Sequence, residues 1–155
     1  MAMTDSLKSF SSEKAWQKLD CGAADTVLII TDCEEGAALA AYAAQHKPGS
    51  DGTEKTRNDL IFCSTDAELL REAEQAGCCA AAPDVLNEEK ERLMPEGPTR
   101  AAFFCKAFDA SAFTSLVNYV AKGSTIIVRS EDPIPPQLSL STSRLHYDQL
   151  TIIGC

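Results

Sequence analysis

Basic residues are scarce. Lys and Arg number 14 against 23 Asp and Glu, which leaves a formal net charge of −9. A surface of that sign repels phosphate-rich partners, so neither nucleic acid nor an anionic membrane is expected to bind. No apolar run approaches the ~20 residues of a membrane-spanning helix. Met1 to Phe10 lack the basic start and apolar centre of a signal peptide. Both absences lead to the expectation of a cytoplasmic protein. Histidine is limited to His46 and His146. Neither stands beside a nucleophile in sequence, and no Ser/His/Asp order is recognisable, so no catalytic residue is nominated. No C-x-x-C pair or His/Cys cluster has zinc-ligand spacing, so no zinc is expected. The 7 cysteines are odd in number and irregular in spacing, unlike a disulfide framework. Cys63 and Cys105 fall inside expected strands, where cysteine acts as a small apolar residue. Cys78 and Cys79 are vicinal and open to oxidation.

Glycine is missing where it would matter most. The stretch from Asp25 to Gly36 reads as a buried strand, a tight turn and a helix start. Val27, Leu28, Ile29 and Ile30 form an unbroken apolar run that suits a parallel strand covered on both faces. Ala37 to Gln45 is almost entirely strong helix former. Strand, turn and helix make the first half of a dinucleotide-binding βαβ unit, whose turn would read G-x-G-x-x-G. Here those positions hold Thr31, Asp32, Cys33, Glu34, Glu35 and Gly36, so only the last glycine is present.

The remaining pattern alternates. Residues 1–12 are polar and expected to be flexible, with 13–155 forming one domain. A short helix over 13–19 has Ser11 or Ser12 as its cap and Trp16 and Leu19 on its inner face. Strands are expected over 26–30, 59–63, 78–82, 101–105, 125–128 and 150–153. Helices are expected over 35–46, 67–76 with Asp66 as cap, 88–93 and 111–121, with Gly123 as the stop of the last. Residues 47–58 carry no apolar side chain to bury and read as a mobile surface loop. Pro83 to Asn87 reads as a connection. Strands alternating with helices imply a doubly wound parallel sheet with right-handed crossovers.

In sequence order, Ala15-Trp16, the strand Thr26–Ile30, Gly36, Glu72-Ala73-Glu74-Gln75-Ala76-Gly77, Lys122–Val128 and Leu145–Gly154 together resemble the coenzyme domain of the medium-chain, zinc-type alcohol dehydrogenases. The sorbitol and threonine dehydrogenase branch is the nearest in pattern. The resemblance covers roughly residues 14 to 155. It implies an α/β, Rossmann-like six-stranded parallel sheet in the order 3-2-1-4-5-6, a bare nucleotide-binding domain without a counterpart of the family's catalytic domain, and NAD(P) as the cofactor.

The departures from the family fall on the cofactor crevice. The first two motif glycines correspond to Thr31 and Cys33, where a side chain blocks the backbone's approach to pyrophosphate. Asp32, Glu34 and Glu35 add negative charge beside a dianion. The family's ribose-binding acid corresponds to Ser64. The glycine after strand four is replaced by Lys106-Ala107-Phe108, with Phe108 expected to fill the crevice. The glycines after strand five give way to Arg129-Ser130. Cys33 is the one reactive-thiol candidate, because a helix N-terminus lowers a thiol pKa, but its acidic neighbours oppose that and a structural thiol is the better reading.

The sixth strand is an apolar sheet edge, and such edges tend to pair. The resemblance implies the same, so a two-fold dimer is expected through Leu150, Thr151, Ile152, Ile153 and Gly154. Three functions remain open. The first is a non-catalytic Rossmann-like module acting through dimerisation or a partner subunit. The second is the NAD(P)-binding portion of an oxidoreductase whose catalytic groups come from another chain. The third is a binder of a cationic nucleotide-like ligand.

Overall fold

The computed structural model describes residues 11–22, 25–46, 57–95, 97–131 and 150–154. Residues 47–56 of the loop expected over 47–58, and the segment 145–149 with His146, lie outside these residues. The elements alternate as expected: α1 (Ser12–Leu19), β1 (Val27–Thr31), α2 (Glu34–His46), β2 (Arg57–Cys63), α3 (Ala67–Ala76), β3 (Cys78–Ala81), α4 (Pro83–Leu93), β4 (Arg100–Cys105), α5 (Ala110–Tyr119), β5 (Thr125–Ser130) and β6 (Thr151–Gly154). The sheet has six strands in the order β3-β2-β1-β4-β5-β6, and all its pairings are parallel. β1 lies at the centre, with Ile29 paired to Phe62 of β2 and to Ala102 of β4.

Local chemistry sets the boundaries. The Ser11 side chain accepts the Lys14 N–H at 3.3 Å, so of the two serines Ser11 is the cap of α1. Asp66 accepts the N–H groups of Glu68 and Leu69 at the start of α3, and Gly77 ends that helix at φ 105°. That left-handed conformation favours glycine.

Four expectations shift. β2 begins at Arg57, two residues inside the expected loop, and its first rung pairs Arg57 with Cys78 before a register shift. Pro83 opens α4 instead of belonging to a connection. Proline lacks an N–H and has a preset φ, both compatible with the first helical position, and the Leu86 N–H closes the turn on Ala82 O at 2.9 Å. α5 ends at Tyr119 and not at Ala121. The Ala121 N–H donates to Pro98 O at 3.0 Å, so the chain has left the helix before Gly123, which serves the turn into β5. Finally, β5 runs on to Ser130, which puts Arg129 on the strand end and not after it.

Side chains alternate across the sheet and divide the interior into two cores. On one face Val27, Ile29, Leu60, Phe62 and Phe104 pack under α1, α2 and α3. On the other, Leu28, Ile61, Phe103, Ile126 and Val128 pack under α4 and α5. Trp16 is half-buried and packs against the first core, beside fully buried Ala15 and Leu19.

Candidate functional site: the crevice at the strand ends

Strand order reverses between β1 and β4, because β1 leads toward β2 and β3 whereas β4 leads toward β5 and β6. In open parallel sheets ligands bind outside the carboxyl ends of the strands at such a switch point. The turn after β1 occupies that point here, and its residues bond to one another. The Cys33 N–H donates to Thr31 Oγ1 at 3.1 Å, and the Thr31 hydroxyl lies 3.3 Å from both the carbonyl and the Sγ of Cys33. Thr31 is 4% exposed and Cys33 5%. Cys33 is therefore a packed thiol shielded from solvent.

Gly36 explains why the turn can be this tight. A Cβ built on it would lie 2.2–2.4 Å from the Oγ1, Cβ and Cγ2 of Thr31. The one motif glycine that is present thus makes room for the threonine that stands in the place of the first.

Two links bridge the crevice. The Asp32 N–H donates to Phe104 O at 3.3 Å, and its carboxylate accepts the Lys106 N–H at 2.9 Å. These join the β1 turn to the loop after β4. Glu35, at the start of α2, forms an ion pair and hydrogen bond with Arg129 at the end of β5. Both side chains are more than two-thirds buried, at 29% and 21% exposure. Sequence reading singled out both residues, but not as partners.

A shallow mouth of about 300 Å³ opens above this turn. The turn contributes Asp32, Glu34 and Glu35, α3 and its cap contribute Asp66, Glu68 and Glu72, and Glu131 follows β5. Lys106 is the one basic residue in the lining. Ser64 is 2% exposed and its hydroxyl accepts the Asp66 N–H at 3.1 Å. It supports the α3 cap.

Phe108 does not fill the crevice. Its ring packs 5.9 Å from Phe103 and 5.4 Å from Phe113, in the core under α5. The space that does open beside the crevice is one that sequence reading missed. A cavity of about 530 Å³ lies between α4 and α5, with Leu28, Ile30, Phe103, Leu86 and Leu116 in its walls. Ser64, Asn87 and Asp109 also line it. Burial pushes the Cys63 thiol in its wall up to about 11, with the Asp84 carboxylate adding to the rise. Burial likewise raises Cys105. Both thiols are poor nucleophiles at neutral pH.

Among the described residues no group of three or more His, Cys, Asp or Glu side chains is placed to hold a metal ion. None of the described helices is long and apolar enough to cross a membrane. His46 ends α2, its ring stacked on Tyr42 at 3.9 Å.

No protein-family model matches the sequence, and none of the curated proteins does. Solved structures do match the fold. An alcohol dehydrogenase from Escherichia coli CFT073, complexed with the cofactor NADH, superposes with a TM-score of 0.70 at 14% identity, over 92% of this chain and 40% of its own. Benzyl alcohol dehydrogenase from Acinetobacter calcoaceticus gives 0.71 at 13% identity, over 93% and 38%. The 2R,3R-butanediol dehydrogenase from Bacillus subtilis gives 0.69 at 12% identity, over 93% and 39%. At such identities the likeness is one of fold, and the chain spans only about two-fifths of those structures.

Proposed function

We propose that this chain is a Rossmann-like module with a degenerate dinucleotide crevice, without catalytic activity of its own, that acts by pairing with a second copy or with a partner subunit. The observation that carries the reading is the acidic turn at the α2 N-terminus. A pyrophosphate would lie at that helix start, and the mouth above it holds Asp32, Glu34, Glu35 and four further carboxylates against one lysine. At ~4–6 Å and an effective dielectric near 20, each carboxylate–phosphate pair costs about 3–4 kcal/mol. The helix terminus returns only about 1 kcal/mol. The Thr31 side chain packed on Gly36 and the Glu35–Arg129 pair across the strand ends add steric and electrostatic obstruction.

The surface for pairing is β6. Among the described residues it pairs with β5 alone, and Ile152 and Ile153 are half-buried. One contact already guards the strand end, since the Lys18 ammonium donates to Gly154 O at 3.2 Å. Sedimentation of the purified protein as a two-fold dimer is the outcome expected of this surface.

A second reading is favoured by the fold likeness to an NADH-complexed dehydrogenase. The chain would be the NAD(P)-binding portion of an alcohol or polyol oxidoreductase whose catalytic groups lie on another chain. Calorimetric titration with NADH and NADPH at low and moderate salt separates the two. No heat at millimolar ligand is expected, and a micromolar Kd for either would overturn the first reading in favour of the second.

A further inference from the structure

We infer that the cleft between α4 and α5 is a binding site for a small organic cation with an apolar body, such as a hydrophobic amine. The inference deepens the reading of a crevice that does not take NAD(P), and rests on it. A cavity of about 530 Å³ is large enough to enclose most of a drug-sized ligand. It arises because α4 and α5 stand apart. Among the described residues α2 packs closely beside both α1 and α3, but no comparable contact joins α4 to α5. Just beyond α4 the Tyr119 hydroxyl donates to Met94 O at 3.4 Å. That bond narrows the cleft at the amino end of the sheet.

The lining selects the ligand. The walls are aliphatic and aromatic, through Leu28, Ile30, Leu86, Phe103 and Leu116. Among the described residues no Lys or Arg side chain lines the cavity, so none of them neutralises a phosphate or carboxylate there. The charged groups among the described lining residues, Asp32 and Asp109, are carboxylates. Each spends one oxygen on a backbone N–H, of Lys106 at 2.9 Å and of Ala112 at 3.1 Å. Asp32 also borders the acidic mouth, so the negative field continues outward from the cavity. An apolar body in the cleft would thus place a cationic head between Asp109 and Asp32, while the opposite charge would meet repulsion at the same point.

The probes are phenylbutylamine, phenylbutanol and phenylbutyrate, which share a body and differ in head charge. Titrated calorimetrically into the intact protein, the amine is expected to bind about 10-fold more tightly than the carboxylate and several-fold more tightly than the alcohol. Ala112 is exposed and lines the cavity, so Ala112→Phe should fill the entrance and abolish amine binding without disturbing the fold, as circular dichroism would check. Asp109→Asn keeps the helix cap and should lower amine affinity about 3–10-fold while leaving the alcohol unchanged. The inference is overturned if the amine does not bind, if the alcohol or carboxylate matches it, or if Ala112→Phe leaves its affinity intact. NADH is titrated in parallel. Micromolar NADH binding would defeat the crevice reading whatever the amine does, whereas a silent NADH titration with no amine preference would defeat the cleft alone.

Discussion

On one face of the sheet α2 lies between α1 and α3 and presents Ala37, Ala40 and Ala43 to the strands, all at 7% exposure or less. On the other, α4 and α5 leave between them a cavity of about 530 Å³. The same strands serve both faces, so the difference comes from the helices. Small residues let α2 sit close to β1 and to its neighbours, as Gly36 and Thr31 illustrate at 2.2 Å from a notional Cβ. α4 is mostly polar, with Leu86 as its buried anchor among the described residues. A helix so largely polar covers a sheet without sealing it. Close packing therefore accompanies the acidic, bridged turn, and openness accompanies the unbridged cleft beside it.

The largest expected effect contrasts two leucines. Leu39 is fully buried on the closed face, and Leu39→Ala should cost about 2–5 kcal/mol in denaturant titration. Leu86 faces the cavity, so Leu86→Ala enlarges a space that already exists and should cost about 1–2 kcal/mol. Equal losses would mean that the two faces are packed alike.

Alkali should weaken the open face next. Cys63 is raised from the ordinary thiol value of 9.0 to about 11. A folded pKa above the unfolded one stabilises the protein fully below the lower value, and the gain is lost as pH rises through the higher. Stability should therefore fall between pH ~9 and ~11 by on the order of 2–3 kcal/mol. A Cys63→Ala variant should be flatter over that window, and an identical slope would remove Cys63 as the cause.

Gly36→Ala gives the smallest of the three effects and isolates the closed face. Its new methyl meets Thr31, and a loss of about 1–3 kcal/mol is expected, recovered in part in a Thr31→Gly background. An additive double variant would show that the two residues are independent.

Much of the frame was legible in the sequence. Apolar runs alternating with helix-period segments carry the parallel sheet and its crossover hand, because parallel strands buried on both faces leave a strong signal, whereas the strand order came from the family pattern. The Asp66 cap was legible for a local reason, since its bonds reach only two and three residues ahead. The start of α4 was not, because proline punctuates a turn and opens a helix with equal ease. The Glu35–Arg129 pair joins residues 94 apart, and no periodicity links them. The cleft was the least legible feature. It is a contact that two helices fail to make, and each helix alone has an ordinary amphipathic pattern.

The bonds around the β1 turn have a mechanical consequence. The Asp32 N–H carries the β1–β4 ladder one rung beyond the strand, onto Phe104 O, and the Glu131 N–H does the same for β4–β5 on Cys105 O. The Asp32 bond thereby ties the two halves of the sheet together at the carboxyl end of the strands, and the Glu131 bond stiffens the second half beside it. They should behave as one stiff plate and not as a pair of jaws, so any motion that admits a guest belongs to the helices lying on the plate.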